Sequence, residues 1–244
     1  MIGVLVSGQG TNLQALLDAG LPVVAVASNR GGAPALERAS CPTAAFELAD
    51  FPDRAARDAA MADWLEQQGV SLVVLAGYMH LLTPAFLDRF PDAVVNVHPS
   101  LLPAFPGAHA VEEQLAAGVA ESGASVHLVD EGVDSGPVLA QERVPVLAGD
   151  TAETLHVRIK SVEHRLLPEV VRELCARRSR GRTCPRWRSV RAEVPHHLGQ
   201  QPVLDRLDPL VQRLRRVAGE HGNWLLAQDC AAVDALVDEV DRRP

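Results

Sequence analysis

The sequence predicts an α/β protein with a doubly wound, mostly parallel sheet, and three observations predict it. Apolar, β-branched runs at Ile2 to Val6, Val23 to Ala27, Leu72 to Leu75 and Val94 to Val97 alternate with helical stretches such as Arg54 to Gln68. Strands separated by helices must cross over and pair in parallel. The first strand passes into a glycine-rich turn and then directly into a helix. The chain has 244 residues, 47% of them apolar and 22% charged, which suffices for a substantial buried core. Ligands of such sheets gather beyond the carboxyl ends of the strands, so the candidate residues are sought there.

Taken in order, the first such end is Ser7-Gly8-Gln9-Gly10-Thr11-Asn12, followed by the helical Leu13-Gln14-Ala15-Leu16-Leu17. Unpaired N–H groups at a helix start favour a phosphate. Gly8 and Gly10 permit positive φ and close approach, and Thr11 or Asn12 is expected to cap the helix. The third glycine of a dinucleotide fingerprint and the Lys-Ser/Thr ending of a P-loop are both missing, so the turn suits a monophosphate.

The fourth strand end carries Asn96-Val97-His98-Pro99-Ser100-Leu101-Leu102-Pro103. Residues two apart on a strand share a face, so Asn96 and His98 converge while Val97 turns away. Pro99 and Pro103 stiffen the turn behind them. Two polar residues that merely bond a neighbouring loop would look the same in sequence. Farther on, Asp130-Glu131-Gly132-Val133-Asp134-Ser135-Gly136-Pro137 lies between the strand-like Ser125 to Val129 and Val138 to Val146, which are expected to pair as a more open sheet edge. Asp134 could simply cap that turn. Beside His98, its carboxylate would raise the imidazole pKa and supply the acid–base pair that acyl transfer needs.

These pieces resemble the folate-dependent formyltransferase family over about residues 1 to 178. The resemblance is carried by Ser7 to Gln14, Val74-Leu75-Ala76-Gly77-Tyr78-Met79, Asn96 to His109, Asp130 to Pro137, Val144 to Asp150 and Glu163-His164-Arg165-Leu166-Leu167-Pro168, in the family's order. It implies a formyltransferase-type Rossmann-like fold. It also implies transfer of the formyl group of 10-formyltetrahydrofolate, as co-substrate, to the amine of 5'-phosphoribosylglycinamide in purine biosynthesis, without a metal.

By position, Asn96 would donate to the oxyanion, protonated His98 would act as general acid, and Asp134 would raise the His98 pKa and take the amine's proton through a water. The resemblance places the substrate phosphate and ribose on Gly10, Thr11, Asn12 and Glu163. It places the folate against Arg54, Met79, His80, Leu81, Leu82, Asn96 and the loop Asp130, Glu131, Gly132, Val133 and Asp134. The chain departs from the family's usual pattern at His80, where Arg is frequent, at Ala104-Phe105 after the second proline, and at Lys160, where a neutral residue is common.

A net charge of −8 argues against nucleic-acid or anionic-membrane partners, leaving small-molecule substrates and a monomer or homodimer. No signal peptide or apolar span of about 18 residues is recognisable, and Cys41, Cys175, Cys184 and Cys230 show no Cys-x-x-Cys spacing, as expected of a reduced, cytoplasmic protein. His127 reads as a buried structural imidazole or as support for the site. His109 is expected to open a helix, and His196 and His197 lack partners at metal-ligand spacing.

Thr151 to Ala176 predicts a long amphipathic helix, broken or kinked near Pro168. Residues 1–179 then form the catalytic domain, with its N-terminal half nucleotide-binding and its C-terminal half folate-binding. Residues 180–200, with five arginines against one acid, read as a linker, and 201–244 as a small C-terminal helical extension. Other readings are a methionyl-tRNA formyltransferase, disfavoured by the acidic charge and short tail, a formyltetrahydrofolate hydrolase, which would carry a preceding domain, and a non-catalytic nucleotide-binding protein.

Overall fold

The computed structural model describes residues 1–179. The expected linker and helical extension, with Cys184, Cys230, His196 and His197, lie outside the described residues. Seven strands form one sheet in the order β3-β2-β1-β4-β5-β6-β7. They are β1 (Ile2–Val6), β2 (Val23–Ser28), β3 (Thr43–Ala45), β4 (Leu72–Leu75), β5 (Val94–His98), β6 (Glu121–Leu128) and β7 (Val138–Pro145). β1 to β5 are parallel, while β6 and β7 run antiparallel to their neighbours. The doubly wound, mostly parallel sheet is therefore present. β3, three residues long, escaped the sequence pattern because it is too short for a period and half of its surroundings are open.

Among the described residues, four α-helices lie between the strands, α1 (Thr11–Asp18), α2 (Arg54–Gln67), α3 (Pro84–Leu87) and α4 (Ala110–Ala116), and α5 (Ala152–Ser179) follows the last strand. His109 stands at the start of α4, where the sequence placed it. Side-chain alternation along the strands builds two cores. Val4, Val95, Val97, Ala124, Val126 and Leu128 face one core with Leu13 of α1 and Leu155 and Ile159 of α5, whereas Leu5, Val73 and Val94 face the other with Met61 and Leu65 of α2 and Phe86 of α3. Period-two alternation then puts Asn96 and His98 of β5, and Ser125 and His127 of β6, on the second face at the open end of the sheet.

Two expectations need correction. Of the break or kink expected near Pro168, the break does not occur: α5 is one helix through that residue. Proline removes one helical hydrogen bond, but Leu166, Leu167, Val170 and Val171 are all buried around it, and packing against α1, β6 and β7 holds the helix together across the gap. β6 also begins at Glu121, four residues before the predicted start, because it pairs with β7 from Glu121 opposite Pro145 to His127 opposite Val138. The pattern was hidden by Gly123, which would read as a break.

Gly123 is required by contact. A methyl group on it would run into the Glu142 carbonyl oxygen on β7 and the side chain of Leu101. We expect Gly123→Ala to destabilise the protein by about 1–3 kcal/mol through overpacking, read as a lower melting temperature by circular dichroism. A melting temperature equal to the parent's would show that β6 and the Leu101 turn do not approach this closely.

Candidate active site

The antiparallel register of β5 and β6 sets Asn96 opposite His127 and His98 opposite Ser125. After β6 the chain turns through residues 130–137, and Asp134 adopts a left-handed backbone conformation with φ 49°. That turn brings its carboxylate over the strand pair. Asp134 Oδ2 lies 3.2 Å from His98 Nδ1, and Oδ1 lies 3.4 Å from His127 Nε2. The Asn96 amide donates to Asp134 Oδ1 at 3.3 Å, and its nitrogen is 3.2 Å from His127 Nε2. The N–H of Gly107 donates to Oδ2 at 2.8 Å. One carboxylate thus gathers an amide, two imidazoles and a backbone donor.

The ring partners constrain proton positions. His127 Nδ1 sits 2.8 Å from the Leu128 carbonyl oxygen, so that nitrogen carries the hydrogen and Nε2 faces Asn96 and Asp134. His98 Nε2 sits 2.8 Å from the Phe105 carbonyl oxygen while Nδ1 faces Asp134. Both nitrogens of His98 therefore meet oxygen acceptors, an arrangement satisfied when both carry hydrogens. For Asp134 itself, burial pushes the carboxyl up, but the His127 contact, the Gly107 N–H and the charge of the two imidazoles outweigh it and hold the pKa at about 2.

The turn after β5 is tied down from below. Ser125 Oγ donates to the Ser100 carbonyl at 2.5 Å and accepts from Leu102 N at 3.1 Å and from Gln141 Nε2 at 2.8 Å. Ser100 Oγ in turn donates to the Ala104 carbonyl at 2.6 Å. Phe105, at φ 55°, completes the bend that delivers its carbonyl to His98.

At the other end of the cleft, Gly10 occupies the cap position of α1 with φ 71°, and a Cβ there would meet Ala35 Cβ at 2.6 Å. Only glycine fits. The expectation of a Thr11 or Asn12 cap is corrected, since Thr11 is the first helical residue and no side chain caps the helix. Asn12 instead donates to Glu163 Oε2 on α5 at 2.9 Å. Glu163 is buried, and burial raises its pKa against the opposing Asn12 hydrogen bond and the charge of Lys160. Arg38, absent from the sequence reading, donates to the Gln9 carbonyl at 2.7 Å and places a cation beside the turn.

The expected folate residues divide. Met79 and Leu81 are 63% and 48% exposed, forming an apolar rim, and Val133 across the acidic loop is 49% exposed. Leu82 is buried in the second core rather than presented to a ligand. Arg54 begins α2, behind an Asp53 cap that accepts from Ala56 N at 2.8 Å. His80 turns inward to Arg57 and Asn29. Asp130 accepts from Ser135 Oγ at 2.7 Å and from Gly132 N at 3.1 Å, so it shapes the loop, while Glu131 and Gly132 are exposed on it. Among the described residues no cluster of three or more His, Cys, Asp or Glu is arranged to hold a metal ion, and no helix is long and apolar enough to cross a membrane.

The fold, with a strand-end set of amide, imidazole and carboxylate groups of the kind acyl transfer uses, is that of an α/β enzyme. The chain belongs to the formyl transferase family, whose model matches residues 1–171. It is 49% identical over 178 residues to a phosphoribosylglycinamide formyltransferase of Mycobacterium tuberculosis, covering 70% of this chain and 83% of the relative. Among solved structures it is similar to glycinamide ribonucleotide transformylase 1 from Symbiobacterium toebii, with a TM-score of 0.69 and 48% identity over 70% of this chain and 85% of the other. A phosphoribosylglycinamide formyltransferase from Streptococcus pneumoniae gives a TM-score of 0.69 at 44% identity, covering 71% and 97%.

A carboxyl whose pKa is lowered by folding contributes stability above its unfolded pKa and loses it as the pH falls toward the folded one. For Asp134 that window runs from its ordinary value of 3.8 down to about 2. Asp134→Asn should therefore be less stable than the parent near neutral pH, and the difference in urea midpoint should shrink as the pH is lowered through the window. A constant difference would mean that the carboxylate is not the stabilising group.

Proposed function

We propose that this chain transfers the formyl group of 10-formyltetrahydrofolate to the amine of 5'-phosphoribosylglycinamide in purine biosynthesis. The observation that carries the reading is the convergence of Asn96, His98 and Asp134 at the end of β5. The amine nitrogen attacks the formyl carbon, the carbonyl oxygen becomes an oxyanion, and the bond from that carbon to the folate nitrogen breaks as the nitrogen gains a proton. Asn96 Nδ2 supplies a neutral donor to the oxyanion and His98 a charged one, each exchanging its present oxygen partner for the substrate. His98 then gives up the proton that the leaving nitrogen needs.

Asp134 completes the cycle in two ways. Its charge stands against His98 throughout, and the proton lost by the amine returns to the imidazole through a water beside the carboxylate. A carboxyl with pKa about 2 stores a proton poorly, so its main contribution is electrostatic. His127, one face of the same carboxylate, holds Asp134 and Asn96 in register. The Gly10-Thr11-Asn12 turn with Arg38 would take the phosphate, Glu163 the ribose, and the rim formed by Met79, Leu81 and the Asp130 to Asp134 loop the pteridine.

The partners are then small molecules, with no nucleic acid or membrane surface, and the protein is a cytoplasmic monomer or homodimer. An acidic balance and a free thiol at Cys41 agree with that setting. The chemistry is assigned wholly to residues 1–179.

His98→Ala and Asp134→Asn should each lower kcat by about 10²–10⁴-fold while leaving the circular dichroism spectrum unchanged. Near-normal formyl transfer by either folded variant, followed spectroscopically, would refute the assignment. A chain ending at Arg178 should keep its turnover number at saturating substrates. A folded, inactive truncation would mean that residues beyond it reach the site.

A further inference from the structure

Behind the apolar rim lies a polar network built around a buried cation. Arg57 of α2 is 0% exposed, the largest fully buried side chain among the described residues. Its Nε and Nη2 donate to Asp58 Oδ1 at 2.9 and 2.6 Å, and its Nη1 lies 2.6 Å from His80 Nδ1. Asp58 Oδ2 accepts from Thr83 N at 2.7 Å. On the opposite side His80 Nε2 is 3.0 Å from the Asn29 amide nitrogen, Ser7 Oγ donates to Asn29 Oδ1 at 2.6 Å, and Met79 N donates to Ser7 Oγ at 2.9 Å.

The segment from Met79 to Thr83 is therefore held at three points: its first N–H by Ser7, its last by Asp58, and the ring between them by Arg57. A guanidinium has hydrogens to donate and no lone pair to offer, so His80 Nδ1 can only be the acceptor. A buried ion pair rarely stabilises more than an apolar replacement would. Its presence beneath exposed Met79 and Leu81, joined to the segment between them through His80, points to a role in shaping that rim.

We propose that Arg57 and His80 act as one positioning unit: the Asp58-anchored guanidinium fixes the His80 ring from behind and so sets the shape of residues 79–83 against which the folate co-substrate packs. The unit rests on the formyl-transfer reading for the identity of that co-substrate. His80 is faced by Arg57, Arg54 and Asp58 from α2 and by Tyr78 from its own loop, and it shares the rim of a cavity of about 670 Å³ with Arg30 and Glu47. Burial lowers its pKa first, Arg57 and Arg54 lower it further, and Asp58 opposes them. The geometry requires that Nδ1 accept from Arg57, which leaves the ring hydrogen on Nε2 beside the Asn29 amide.

Steady-state kinetics of the full chain and its variants test the unit. Arg57→Met should raise the KM for 10-formyltetrahydrofolate about tenfold, the effect of losing one charge-assisted hydrogen bond, with kcat and the KM for phosphoribosylglycinamide within about twofold. His80→Gln should raise the same KM, and the double variant should be no worse than the worse single one. In proton NMR, the imidazole signal that disappears in His80→Gln should titrate at a higher pH in Arg57→Met than in the parent.

An unchanged folate KM, additive effects in the double variant, or an unmoved His80 titration would each overturn the proposal. If Arg57→Met fails to fold, Arg57→Lys keeps the charge beside Asp58 and loses the arm to His80. It should show the same rise in folate KM, and a parental value would overturn the proposal. A parent chain that transfers no formyl group would overturn the functional reading instead, and the His80 titration would still decide whether Arg57 holds the ring.

Discussion

The site hangs on one carboxylate. The oxygens of Asp134 receive the Asn96 amide and the Gly107 N–H and lie against both His98 and His127. These groups come from β5, the turn after it and β6, so three segments meet on the anion that the loop after β6 supplies. Because the surroundings are partly dry, each contact is stronger than it would be in water, and leaving any of them unmade would cost correspondingly more. Two of the three left-handed non-glycine residues among the described residues, Phe105 and Asp134, stand at this point as well. Non-glycine residues hold such a conformation where many neighbouring contacts oblige them to, and here those contacts also bring the Phe105 carbonyl to His98 and the Asp134 carboxylate to Gly107.

The sheet makes this economy possible by sending the two polar faces of β5 and β6 to one end. Val95 and Val97 are locked into the core with α1 and α5, which leaves no freedom for Asn96 and His98 to rotate away. A slip of one residue between the strands would turn a polar side chain into the apolar core with α1 and α5 and a valine toward Asp134, so the apolar core defends the register. The same logic operates at Ser125, whose hydroxyl accepts from Leu102 N in the proline turn and from Gln141 on β7 and donates to the Ser100 carbonyl. A fully used hydroxyl is a rigid strut.

At the two ends of the cleft different physics prevails. The Gly10 turn offers backbone donors and a helix dipole, enforced by a contact with Ala35 that admits no side chain. The opposite rim offers exposed methionine and leucine with buried charge behind them. Under the proposed reaction, the phosphate of one substrate meets the first end and the apolar ring of the other meets the second, with Asn96, His98 and Asp134 between them. That division follows from strand order, since β1 and β4 are neighbours and β5 is next.

Much of this was legible in the sequence wherever the information is local or periodic. Alternating strands and helices gave the architecture, Asn96-Val97-His98 declared its shared face, and the glycine turn declared its helix start. Other features depended on contacts between distant segments, and no local pattern encodes those. Asn12 reads as a cap and becomes a partner of Glu163, 151 residues away. Leu82 reads as ligand rim and is core, while Pro168 reads as a break and is carried through by burial on its neighbours. Arg57 gave no signal, because a surface helix and a buried one can share a composition. The sequence by itself determined which groups were available and on which face of each strand they stood. Only the tertiary structure decided which of them meet, because a hydrogen bond or ion pair requires approach to about 3 Å, and long-range packing sets that distance.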